Sequence, residues 1–158
     1  MNPRAASAVW GAAVAAALVV VPLSLRERLP DPMATHWSGG DVPDGSMSFA
    51  GDVLTSLGLW AVLCVPHIAI AVHGRALARR KSRAFWWGGL FGTGLFVLGV
   101  EVTTLMANLD APDWTLARMP MWWVPLLLLG SGAVGVLAGY LGRGEPDPVS
   151  EEARPTPA

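Results

Sequence analysis

Apolar residues along this chain gather into four long blocks, residues 5–25, 53–72, 84–109 and 121–141, with polar segments between them. They do not recur at the spacing of a half-buried soluble helix or strand. Each block approaches or exceeds the roughly 20 residues that, at 1.5 Å rise, cross a hydrocarbon core of about 30 Å. The first and fourth blocks carry no charge, the second only His67 and the third only Glu101. Backbone amides in hydrocarbon need internal partners, and the blocks lack the alternating polarity of barrel strands, so the pattern predicts four transmembrane α-helices. The expected architecture is an all-α integral membrane bundle over residues 1–142, with a proline-rich outer loop at 26–52 and a tail at 143–158.

Composition agrees with that class: 53% of the 158 residues are hydrophobic and only 15% charged, well away from soluble-domain usage. The basic residues then set an expected orientation. Residues 73–83 contain Arg75, Arg79, Arg80, Lys81 and Arg83 without an acid, whereas residues 110–120 hold Arg118 against Asp110 and Asp113. The positive-inside rule places the 73–83 loop in the cytoplasm, with both termini inside and the 26–52 and 110–120 loops outside. Arg26 and Arg28 argue mildly against this. Trp86, Trp87, Trp114, Trp122 and Trp123 lie near span ends and read as interfacial anchors.

The first block follows Arg4, as in a signal peptide, but it is a full span long and no small-x-small cleavage pattern follows it. A retained anchor is expected. The tail, with four prolines, four acids and no aromatic residue, reads as a disordered cytoplasmic tether. The single cysteine, Cys64, falls mid-span and behaves as a small hydrophobe. Ten arginines against one lysine, with abundant alanine, suit a GC-rich bacterial genome. A multi-pass protein of the bacterial plasma membrane is the expectation.

Two groups of residues carry candidate chemistry. The first lies inside the membrane. Glu101 is the only carboxylate within a predicted span, and such an acid costs at least a few kcal/mol unless paired, protonated or wetted. Thr104 and Asn108 follow at i+3 and i+7, giving the outer half of that helix one polar stripe. The stripe reads either as a small polar cavity for a proton, cation or ligand group, or as structural glue bonded to a neighbouring helix. His67 follows Pro66, where the missing amide frees a carbonyl and kinks the helix. Its depth differs from that of Glu101 by about 9 Å at helical rise, too far for direct contact.

The second group lies in the outer loop. Pro30, Pro32 and Pro43 restrict φ and bias their predecessors to extended geometry, and Asp44 followed by Gly45 is a turn signal. Such a loop fixes the direction of His36, and an imidazole suits a response to pH or a bond to a ligand carboxylate or metal. The alternative is a lid, with Met33 and Trp37 dipping into the bilayer face and His36 bonded to a backbone carbonyl. A metal site has only His36 with Asp31, Asp41, Asp44 or Glu101 to draw on, an unspecific set, and none is expected. Gly88 and Gly92, and Ser131, Gly135 and Gly139, form small-residue faces for close helix packing, within the bundle in preference to a second chain.

The stretch "LPDPMATHW" followed by "PDG", directly after a first span, resembles the bacterial membrane family called domain of unknown function 1648, which also forms the N-terminal part of SdpI-type toxin-immunity proteins. Leu29, Pro30, Met33, His36, Trp37, Pro43 and Asp44 fill the family's positions. The resemblance covers about residues 12–50. The chain has Ser38 where members usually have asparagine, and it lacks the further block of spans of the longer immunity proteins.

No nucleophile elbow, phosphate-cradling loop or His-x-x-x-His pair is present, so no enzymatic activity and no cofactor are expected. The first functional expectation is a non-enzymatic receptor, immunity or signalling module, its outer loop meeting an extracytoplasmic peptide or ligand and its arginine-rich loop and tail a cytoplasmic protein. The second is a small transporter or channel component with Glu101, and His67 in addition, on a polar path. The lipid bilayer is the expected partner throughout, with anionic headgroups at the basic loop; nucleic acid is not expected, and a homo-oligomer is an open alternative.

Overall fold

The computed structural model describes residues 2–147. It contains four long helices, α1 (Pro3–Leu25), α2 (Phe49–His73), α3 (Arg80–Asn108) and α4 (Trp123–Gly142), all long and apolar enough to cross a membrane. Between α1 and α2 the chain forms strands β1 (Met33–His36) and β2 (Gly45–Met47). The 26–52 segment is therefore not loop alone: β1 and β2 pair antiparallel, with Met33 opposite Met47, Ala34 opposite Ser46, and a bulge before His36.

Helix ends explain how the elements depart from the predicted blocks. The Ser48 side chain accepts a hydrogen bond from the Gly51 amide and so starts α2 at Phe49, a full turn before the apolar block. Asp52, expected in the loop, thus belongs to the first turn of α2. At the other end Gly74 adopts a left-handed φ of 74° and donates its amide to Ile70, a helix stop that favours glycine. α3 begins at Arg80, inside the basic segment. α2 is continuous through Pro66, and the His67 ring donates from Nδ1 to the Leu63 carbonyl 2.8 Å away.

α1, α2 and α3 share one core of Val14, Leu18, Trp60, Cys64 and Val97. Indole N–H groups tie the three helices across this core. Trp10 donates to the Leu90 carbonyl at 3.0 Å, Trp60 to Gly11 at 2.9 Å and Trp86 to His67 at 3.0 Å. Trp86 and Trp87 correct an expectation: both are buried among Ala71, Leu90 and Phe91 and face the bundle, where their rings meet edge to face. Trp122 by contrast is largely exposed near the start of α4.

α4 packs chiefly along α3, with Gly139 its one buried residue. The seam is made of glycine. A Cβ on Gly88 would come within 2.7 Å of the Gly135 carbonyl oxygen, and one on Gly139 within 2.6 Å of the Ala84 carbonyl oxygen. The small-residue faces of α3 and α4 therefore meet each other within the chain.

The tail was expected to be free from residue 143. Its first residues are instead held at the start of α3: the Arg83 guanidinium donates to the Arg143 and Glu145 carbonyls, each at 2.8 Å, and the Arg80 amide donates to Asp147 at 2.7 Å. Residues 148–158 of that tail lie outside the described residues.

Candidate functional site

The β1–β2 hairpin and the connection between α3 and α4 meet at one end of the bundle. Leu29, Met33, Phe49 and Leu105 form a small core under the hairpin. Met33 is fully buried there and points at α3, so it does not dip into the bilayer as a lid residue would. Pro43 is buried, Pro30 half-buried, and the Asp31–Pro32 peptide bond is cis.

One side chain pins the hairpin to α3. The Asn108 carboxamide accepts a hydrogen bond from the Ala34 amide at 2.8 Å and donates to the Ala34 carbonyl, also at 2.8 Å. It thereby occupies both backbone groups of β1 as a neighbouring strand would. A further donation to the Thr104 carbonyl at 2.9 Å fixes the rotamer, and Asn108 is completely buried. Every strong donor and acceptor of this amide is used, which is the condition for burying it without a net penalty. The loops add ion pairs at the rim: Arg26 with Asp31 at 2.8 Å, and Arg28 with Asp110 through two hydrogen bonds. The Met119 amide donates to the Asp41 carbonyl, joining the 110–120 segment to the hairpin.

His36 sits at the exposed tip, with 69% of its side chain accessible, 2.6 Å from the Asp44 carboxylate. Its partner is thus a carboxylate and not the backbone carbonyl of the lid reading. The Ser38 hydroxyl first and the His36 ring second hold the Asp44 carboxyl below the usual carboxylate range. Trp37 is half-buried, and its indole Nε1 is buried without a hydrogen-bond partner among the described residues. The structure does not bring His36 to Glu101. It also brings no three His, Cys, Asp or Glu side chains together in a metal-binding group among the described residues.

Glu101 lies two turns below Asn108 on the same face of α3 and is 3% exposed. One carboxylate oxygen accepts from the Ser56 hydroxyl on α2 at 2.5 Å, and the other has no partner among the described residues. Asp52, one turn from Ser56 on α2, is 8% exposed, and its Oδ2 is likewise without a partner. Thr104 is buried on the Glu101 face. The polar stripe therefore has two jobs: Asn108 holds the hairpin, while Glu101 meets a matching stripe of Asp52 and Ser56 on α2. Sequence reasoning missed both α2 residues. Their i, i+4 spacing is a helix-face signal, visible once Ser48 is read as an N-cap.

His67 belongs to neither group. It lies against α3 at the level of Gly89, where a Cβ would come 2.8 Å from its Nε2, and its ring is tilted against Trp86. Its ring and main-chain carbonyl are engaged within the bundle, well removed along α2 from Ser56.

Compared with known proteins, the chain matches no family model, no curated protein and no solved structure.

Proposed function

We propose that this is a small, non-enzymatic, multi-pass plasma-membrane protein in which Glu101 and Asp52 take up a proton or a small cation beneath the hairpin, as in a transporter or channel component. The observation that carries this reading is the pair of buried carboxylates, each with an oxygen that has no partner among the described residues, between two membrane-length helices. A carboxylate in hydrocarbon is stable when it holds a proton or a cation, and native structures seldom leave such oxygens idle without cause. Ser56 supplies a hydroxyl ligand or donor to the same place. His67 has no part in the path.

The hairpin end faces outward and the arginine-rich end the cytoplasm on this reading. Arg26 and Arg28 count against it, but the five basic residues of the 73–83 segment outnumber them, and that asymmetry supports the assignment.

The test is a cation-flux and proton-flux assay in proteoliposomes with wild type, Glu101→Gln and Asp52→Asn. Glu101→Gln keeps a polar group for Ser56 and removes the titrating acid, so it should fold as wild type and lose flux at least tenfold. Wild-type flux from a folded Glu101→Gln protein sinks the proposal.

A second reading, favoured by the exposed His36–Asp44 pair on a hairpin held firmly to the bundle, is a receptor, immunity or signalling module of the kind the 29–45 stretch resembles. There an extracytoplasmic peptide meets the hairpin tip and a cytoplasmic protein the opposite end. His36→Ala should then abolish the response while leaving any flux intact.

A further inference from the structure

The face formed by α3 and α4 carries a trough of about 560 Å³ that opens toward the surrounding lipid. It runs from Lys81 to Phe96 along α3, about 22 Å at helical rise, longer than the roughly 15 Å of one hydrocarbon leaflet. Its bed is glycine, with Gly89 on α3 and Gly132 on α4 beside the seam, and its flanks are Phe85, Phe96 and Val136. A Cβ on Gly132 would meet nothing within 4 Å, so that position looks onto free space within the trough.

The chemistry changes at one end only. Lys81 and Tyr140 line the mouth at the arginine-rich end, and the Arg143 guanidinium stacks over the Tyr140 ring, 3.8 Å from its centroid. Neither Lys81 nor the Arg143 side chain has an ion pair among the described residues, whereas Arg83 is spent on carbonyls and Asp147. An apolar trough of leaflet length that ends at two cations without an ion pair among the described residues is complementary to one molecule class: an acyl chain joined to an anionic headgroup.

From this geometry we infer that the α3–α4 trough is a binding site for an anionic phospholipid, one acyl chain lying over Gly89 and Gly132 and the phosphate meeting Lys81 and Arg143. The inference is independent of the Glu101 reading, since the trough lies on the opposite, lipid-facing side of α3 and near its other end. Each cation near a membrane phosphate adds about a fivefold preference for the charged lipid.

Native mass spectrometry of the full chain in detergent, titrated with phosphatidylglycerol or phosphatidylcholine of the same acyl composition, tests it. Wild type should retain phosphatidylglycerol at least fivefold better. Lys81→Ala with Arg143→Ala should bring the two lipids level, and Gly132→Leu should reduce retention of both. Gly130→Leu, also in open space on α4 but outside the trough, should change neither. Equal retention of the two lipids by wild type, an unchanged preference in the double variant, or the same retention in Gly132→Leu as in Gly130→Leu would overturn the inference. The two charge changes lie outside the glycine seam, so they decide the matter even if Gly132→Leu misfolds.

Discussion

The hairpin end and the α3–α4 seam are joined to the same helix by opposite means. The hairpin is fixed by directed bonds from few atoms: two hydrogen bonds between Asn108 and Ala34, the Arg28–Asp110 ion pair beside the end of α3, and a small core around Met33. The seam is fixed by what is missing, a run of glycines that lets two backbones touch. In lipid the hydrophobic effect does not draw helices together, so close packing must supply the attraction along the seam. At the hairpin, hydrogen bonds supply position. One junction is sensitive to the loss of an atom, the other to the gain of one.

Adding atoms to the seam should have the largest effect on global unfolding, since the other changes below act locally. Gly139→Leu drives a Cβ into the Ala84 carbonyl, with no flexible side chain to yield. Overpacking of this kind costs about 3 kcal/mol, so thermal unfolding in detergent should shift down strongly. Gly130→Leu on the same helix should melt as wild type, and equal melting of the two variants would remove the distinction between seam and surface.

Next comes the loss of the Asn108 amide. Asn108→Leu leaves the Ala34 N–H and C=O buried and unpaired, a penalty of about 1–3 kcal/mol per group. The helices should remain folded while amide exchange at residues 33–36 accelerates by at least tenfold. Unaltered protection there means that the Met33 core alone holds the hairpin.

The smallest effect is at the rim. The Arg28 hydrogen bond holds the Asp110 carboxyl below the usual range. A carboxylate with a depressed folded pKa contributes stability above its unfolded value, near 3.9, and loses it as pH falls through the folded value. Wild type and Asp110→Asn should therefore differ slightly at pH 7, and the difference should shrink as pH falls below the unfolded value of about 3.9. Both groups are mostly exposed, and salt should shrink the difference further. A gap that does not shrink as the pH is lowered points to a cause other than this ion pair.

The four spans were legible because length and hydropathy alone decide them, and the small-residue faces because their spacing is local. What escaped was pairing between distant segments. Nothing near residue 34 announces that its backbone is completed by an amide 74 positions away, and β1 is only four residues long beside prolines that read as a loop. Asp52 was assigned to the loop because hydropathy marks apolar blocks, whereas helices begin at caps such as Ser48. Trp86 and Trp87 looked like interface anchors because their position along the helix suits that role; their direction around it, which burial in the bundle reveals, was not available from spacing.

Asn108 clamps Ala34 at both backbone groups, and Glu101 lies two turns further down the same helix. The exposed His36 tip and the buried acid therefore share α3 as their common support.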